Sequence, residues 1–92
     1  MKREIKRSSR FKKDFKRYSH DSAFLAEFTS VIGLLSSDAP LPDKYVDHEL
    51  HGNWNGCRDC HIRPDAVLIY QKTSDGLLLL LLRVGGHAQV FE

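Results

Sequence analysis

The chain has 92 residues, 41% of them hydrophobic and 28% charged, with a formal net charge of +2. This length supports one small globular domain, which we expect to span residues 1–92, and is too short for two. The composition excludes a low-complexity protein, and the mixture of charged and apolar residues at the N-terminus excludes a secretory signal. The longest apolar run, Leu77–Leu82, has six residues, far fewer than the roughly 20 of a membrane-spanning helix. We therefore expect a cytoplasmic protein without a membrane partner.

The predicted elements begin with a short strand at residues 3–8, where charged and apolar residues alternate. Ser8 or Ser9 can cap a first helix, and Asp21 or Ser22 can cap a second. The apolar face of the first helix is formed by Phe11, Phe15 and Tyr18. The apolar positions of the second helix are Phe24, Leu25, Phe28, Val31, Ile32 and Leu35. Because both sets recur at helical spacing, we expect two amphipathic helices packed as an antiparallel hairpin.

Three extended segments follow the loop at residues 37–47. They cover residues 56–63, 66–73 and 77–84, separated by turns at Pro64-Asp65 and Ser74-Asp75-Gly76. The element order is therefore β-α-α-β-β-β. Strands joined by tight turns favour an antiparallel sheet, with the helical hairpin packed on one face. The predicted fold class is α+β.

Positive charge is concentrated in the first 18 residues, which hold nine Lys or Arg and two carboxylates, a net charge of +7 against −5 for the rest of the chain. A basic surface of this kind attracts polyanions such as RNA or DNA. Lys12, Lys13 and Lys16 are its candidate contacts. A solvated helix face, or a docking site for an acidic partner, would show the same composition.

The motif Cys57-x-x-Cys60-His61 has the spelling of a c-type haem attachment site and of the start of many zinc sites. In a strand, however, Cys57 and Cys60 face opposite sides of the sheet, and three steps of about 3.3 Å put their Cα atoms roughly 10 Å apart. A disulfide needs less than about 7 Å, and zinc ligands at this spacing need a tight turn. We therefore predict no cofactor and no bound metal, with Cys60 in the core and Cys57 incidentally on a polar face.

Histidines are the remaining candidates for chemistry. His61 has Asp65 nearby in sequence, and His48 and His87 join this pair as candidates. For any single histidine, a surface or structural role is the simpler interpretation. Together, these histidines are less easily explained as surface residues. We interpret His20, in the turn between the helices, and His51 as structural.

A larger set of positions gives these histidines a context: Asp47, His48, Leu50, Gly52, Trp54, Gly56, Arg58, Asp59, His61, Pro64, Asp65, Leu68, Ile69, Tyr70, Arg83, Gly85, His87 and Phe91. Together they resemble the YafQ family of toxins in the RelE/ParE superfamily. The resemblance extends to the basic first helix and to the β-α-α-β-β-β order, so it covers essentially the whole chain and implies a RelE-like fold. The sequence departs from the family at Ala66, where the family usually has Trp, and at Cys57, where relatives commonly have an aromatic residue.

The resemblance implies a bacterial type II toxin that cleaves mRNA on the translating ribosome and is neutralised by a cognate antitoxin. Operator DNA would be contacted only indirectly, through the complex with the antitoxin. The family's catalytic positions correspond here to His48, His61, Asp65, His87 and Phe91.

A ribonuclease of this kind, independent of metal, uses the substrate's own 2′-OH as nucleophile. It needs a base, an acid for the departing 5′ oxygen, and positive charge beside the phosphate. Histidine suits both proton roles because it titrates near neutrality. We assign His87 as the acid and His61 or His48 as the base, with Asp65 orienting a histidine or sharing the base role. The remaining assignments are phosphate binding by Arg83 and Arg58 and base stacking by Phe91.

Two other classes of function fit the same fold. A ParE-like toxin that poisons gyrase would not need a histidine cluster. A binding-only module would need only the basic helix and a groove for its antitoxin. Loss of activity on substituting the histidines, with folding intact, separates a nuclease from both.

Overall fold

The computed structural model describes residues 2–91, which form a five-stranded sheet with two helices packed on one face. The strands are β1 (Glu4–Arg7), β2 (His48–Glu49), β3 (Arg58–Arg63), β4 (Ala66–Lys72) and β5 (Leu78–Gly85). The helices are α1 (Ser9–Phe15), α2 (Ser22–Ser36) and the short α3 (His87–Val90). Single 3₁₀ turns cover Lys16–Tyr18, Asp43–Tyr45 and Gly52–Trp54. The predicted α+β class is confirmed. No helix in this part of the chain is long and apolar enough to cross a membrane.

The two long helices begin where the capping residues predict. The Ser8 hydroxyl accepts the Phe11 N–H at 3.0 Å, and the Asp21 carboxylate accepts the Phe24 N–H, also at 3.0 Å. Each cap satisfies a backbone donor that the first helical turn leaves unpaired. The first helix is shorter than its apolar spacing suggests, because its last turn, which carries Tyr18, is a 3₁₀ turn.

Aromatic rings join the two helices. Ring centroids lie 4.0 Å apart for Tyr18 and Phe24, 4.9 Å for Phe15 and Phe28, and 6.0 Å for Phe11 and Phe28. Residues late in the first helical segment thus meet residues early in α2, and the reverse holds at the other end. This is the pairing of an antiparallel hairpin, and it confirms the predicted arrangement.

The sheet differs from the prediction at both edges. Its order is β1-β5-β4-β3-β2, and β1 runs parallel to β5, so the sheet is mixed rather than wholly antiparallel. Tight turns force antiparallel pairing only on β3, β4 and β5. The helices connect β1 to the later strands, so β1 can pair in either direction. At the opposite edge, β2 is a two-residue strand that the sequence did not predict, and it pairs antiparallel with β3.

Two apolar clusters lie on opposite faces of the sheet. The main core, between sheet and helices, includes fully buried Cys60, whereas Cys57 is buried on the other face with Val67, Ile69 and Val90. Both thiols are free. The prediction that the cysteines face opposite ways is therefore confirmed. The prediction that Cys57 lies on a polar face was wrong, because Val90 of α3 and its neighbours cover that side of the sheet with apolar groups.

Candidate active site

The edge strand β2 places His48 beside Asp59, its partner residue in the antiparallel pair with β3. The Nδ1 atom of His48 lies 2.9 Å from the Val46 carbonyl oxygen and 3.0 Å from Oδ1 of Asp59. Because Nδ1 is turned towards the protein, Nε2 is the ring nitrogen left for a substrate. The imidazole is about half exposed.

Asp59 is the carboxylate that lies against His48. Only 1% of the residue is exposed, and burial raises its pKa, whereas positive charge on His48, His61 and His87 lowers it. Its Oδ1 has no hydrogen-bond partner among residues 2–91, although Nδ1 of His48 is within ion-pair distance. The Nδ1–H therefore bonds to the Val46 carbonyl, and Asp59 acts on His48 through charge.

A clasp around Asp47 fixes the backbone next to this pair. Nε and Nη2 of Arg58 donate to Oδ2 of Asp47 at 3.2 and 2.9 Å, and the hydroxyl of buried Tyr70 donates to Oδ1. Asp47 precedes His48 in the chain, and Arg58 precedes Asp59. The clasp thus holds both strands of the site in register. Arg58, expected to bind phosphate, is already paired with a carboxylate.

The short helix α3 carries the other two expected site residues. His87 is its first residue and is exposed, and Phe91 follows it one turn later, with ring centroids 4.6 Å apart. Between them, Oε1 of Gln89 accepts the Gly86 N–H at 3.3 Å and also a hydrogen bond from Nη1 of Arg17. This side chain therefore ties α3 both to its own first turn and to the basic helical segment.

His61 lies on β3, two residues beyond Asp59, and is partly buried. It also lines an open cleft of about 290 Å³ together with Lys44 and Tyr45. Asp65 occupies the turn after β3, where its side chain is 79% exposed and accepts from Nε of Arg63 at 3.0 Å. The carboxylate that lies against a histidine is therefore Asp59, and Asp65 is paired with an arginine.

The expected phosphate ligand Arg83 is mostly buried and bonded to Asp14. Its Nε and Nη2 atoms donate to the Asp14 carboxylate at 2.7 and 3.3 Å. Burial alone would raise the pKa of Asp14, but the hydrogen bonds from Arg83 and from the Val84 N–H outweigh it and hold that pKa below its ordinary value. The predicted cations Lys12, Lys13 and Lys16, on α1 and the turn after it, are exposed.

From the sequence alone, we gave Asp47 and Asp59 no role in the site, although both are among the positions that carry the resemblance, and we did not name Gln89. The alternation of β3 put Asp59 and His61 on one face, which was a usable signal for Asp59. The proximity of His48 depends on β2, which has no signal of its own at two residues. Ala66, where the sequence departs from the family, is fully buried in the main core. No group of three or more His, Cys, Asp or Glu residues between positions 2 and 91 is arranged to hold a metal ion.

Comparison with known proteins gives matches along nearly the whole chain. The family described as "Bacterial toxin of type II toxin-antitoxin system, YafQ" matches residues 3–92. The "mRNA interferase toxin YafQ" of Escherichia coli (strain K12) is 37% identical over 93 residues, which cover 99% of this chain and 98% of that protein.

Solved structures agree with the sequence match. The crystal structure of YafQ from E. coli strain BL21(DE3) matches with a TM-score of 0.85 and 36% identity, over 98% of this chain and 99% of that one. A chain of the E. coli DinJ-YafQ toxin-antitoxin complex matches with a TM-score of 0.84 and 36% identity, over 100% of both chains. These likenesses confirm the RelE-like fold.

Proposed function

This chain belongs to the YafQ family of type II toxins, and its E. coli relative is named an mRNA interferase toxin; we propose that the chain is an mRNA endoribonuclease. One observation carries the proposal for this chain's own residues. Buried Asp59 lies 3.0 Å from Nδ1 of His48, a residue 11 positions away in sequence, and positive charge on His61 and His87 also lowers its pKa. A fold that needed only to bind a partner would gain nothing from a buried carboxylate whose Oδ1 has no hydrogen-bond partner among residues 2–91.

His48 is the proposed general base. In its neutral form with the proton on Nδ1, the Val46 carbonyl holds that proton, so Nε2 is free to take the proton of the substrate's 2′-OH. The imidazolium formed in that step lies 3.0 Å from Oδ1 of Asp59, whose charge stabilises it. Within the described residues 2–91, no carboxylate contacts His61 in a comparable way, which favours His48 for this role. His61, two residues along β3 from Asp59, is instead proposed to contact the reacting phosphate.

His87 is the proposed general acid for the departing 5′ oxygen. It is exposed at the start of α3, and the ring of Phe91 lies against its own at 4.6 Å. Phe91 is packed on the second apolar cluster, so it can brace the imidazole and offer a face to an unstacked base. Asp65, on its exposed turn, is accessible to RNA and stays a proposed member of the site.

The proposed partners are a cognate antitoxin, the ribosome and mRNA, with operator DNA contacted only through the antitoxin. A matching E. coli structure is a DinJ-YafQ toxin-antitoxin complex, which supports the proposal of an antitoxin partner. The +7 charge of residues 1–18 supports contact with ribosomal and messenger RNA.

The test is to induce this chain briefly in translating cells and map RNA 5′ ends. We expect new ends within coding sequences for wild type. His87→Gln should lose most of them, since protonation of the leaving group is typically worth about 10²–10⁴-fold. His20→Gln and His51→Gln are matched controls, because both histidines are exposed and outside the site, and they should cut like wild type.

Two outcomes would contradict the proposal. Full cleavage by a folded His87→Gln variant would exclude His87 as the general acid. DNA damage with intact mRNA would favour gyrase poisoning.

A further inference from the structure

A second cleft opens beside α3, between the basic helical segment and the end of β5. It has a volume of about 370 Å³ and is lined by Arg10, Lys13, Asp14, Arg17 and Arg83. Arg10, Lys13 and Arg17 are spaced three and four residues apart, so the helical turns bring all three to one side. Four cations and one carboxylate thus surround a space large enough for a phosphate group.

The charges of this cleft are not all equivalent. Arg83 and Asp14 neutralise each other, and the Asp14 carboxylate also accepts the Val84 N–H at 3.2 Å. Within residues 2–91, Arg10, Lys13 and Arg17 form no ion pair, and Arg17 bonds only to the neutral Gln89 side chain. The cleft therefore has a neutral floor and three positive charges around it.

We propose that this cleft binds a backbone phosphate of the substrate RNA; the inference rests on the proposed nuclease function. Arginine presents a planar pair of donors that matches phosphate oxygens, and lysine adds a point charge. The cleft adjoins the proposed catalytic helix, because Arg17 contacts Gln89, two residues from both His87 and Phe91. A phosphate held here would fix the RNA strand next to the proposed acid.

The same helix offers a built-in comparison. Lys12 and Lys16 are exposed on α1 and the turn after it but do not line the cleft. They attract RNA through general charge, whereas Arg10 and Lys13 can hold one phosphate in a fixed place. Arg10→Gln with Lys13→Gln, and Lys12→Gln with Lys16→Gln, remove the same charge from neighbouring positions. Arg17 stays unchanged in both variants, so its contact with Gln89 is kept.

The experiment measures binding of a short 2′-O-methyl oligoribonucleotide, which this chemistry cannot cleave, by fluorescence anisotropy over a range of salt concentrations. Each lost phosphate contact lowers the slope of log K against log salt by about 0.7 for a single strand. We expect the cleft variant to lose at least one such step and to bind about tenfold more weakly at low salt, with less than about a threefold loss for the control variant. Thermal unfolding should be the same for both.

The proposed phosphate site would be overturned by equal losses of RNA affinity in the two variants, by no loss in either, or by no RNA binding by wild type. Cleavage of mRNA on translating ribosomes, measured in parallel, separates this failure from that of the proposed function. If wild type cleaves mRNA and the cleft variant binds and cleaves like the control variant, only the proposed phosphate site is wrong. If wild type does not cleave, the nuclease proposal fails whatever the oligonucleotide shows.

Discussion

Replacing Asp14 by Asn should strongly destabilise the protein, because it leaves the Arg83 guanidinium without its carboxylate. The two side chains are only 19% and 10% exposed, and Asp14 accepts hydrogen bonds from Arg83 and from the Val84 N–H. Removing one partner of a buried ion pair costs about 3–5 kcal/mol, and the remaining exposure of these side chains puts the expected cost at about 3 kcal/mol. At about 4–8 °C per kcal/mol for a domain of this size, Tm should fall on the order of 15 °C.

The assay is thermal unfolding followed by circular dichroism, with Asp43→Asn as the control. Asp43 is exposed and the charge change is the same, so its replacement should cost less than about 0.5 kcal/mol. The pKa of Asp14 is lowered in the native state, so its stabilisation is complete above its unfolded pKa of about 3.9 and is lost as pH falls through the native value. The gap between wild type and Asp14→Asn should therefore narrow on acidification. A gap below about 1 kcal/mol, the size of a surface pair, or one independent of pH would refute the reasoning.

Three further predictions concern the site and the cysteines. Burial raises the pKa of Asp59, so its charged form destabilises the fold as pH rises above the unfolded value, and Asp59→Asn should raise Tm at pH 7 while slowing cleavage; a lower Tm would contradict this. Gln89→Met removes the acceptor for Arg17 and should lower kcat more than substrate affinity. Gln89→Glu keeps an acceptor for Arg17 and should have the kcat of wild type. An equal loss of kcat in both variants would exclude a positioning role for Gln89. Replacing both Cys57 and Cys60 by Ala should preserve cleavage and cost roughly 1–3 kcal/mol of stability, and a folded but inactive double variant would show that a thiol takes part.

Features set by neighbouring residues could be predicted from the sequence. Ser8 and Asp21 cap helices because their side chains reach backbone N–H groups three residues on, a relation visible in the sequence itself. The opposite orientation of Cys57 and Cys60 follows from the two-residue period of a strand. The resemblance then supplied the family and the catalytic roles expected of the histidines.

Features set by distant segments could not be predicted. Asp14 and Arg83 are 69 residues apart, and no local pattern indicates that the basic helix neutralises an arginine of the last strand. The position of His48 beside Asp59 depends on a two-residue strand, too short for any periodic signal. Asp65 is close to His61 in sequence, yet the turn directs its carboxylate to Arg63.

The chemistry of the cut ends tests the proposed mechanism most directly. Purified chain is added to ribosomes translating a defined mRNA, and the product ends are identified by mass spectrometry. Attack by the 2′-OH with histidine acid and base predicts 2′,3′-cyclic phosphate and 5′-hydroxyl ends, and no cut in mRNA that carries a 2′-O-methyl group at the scissile nucleotide. Products with 5′-phosphate, or cleavage of the methylated mRNA, would contradict it.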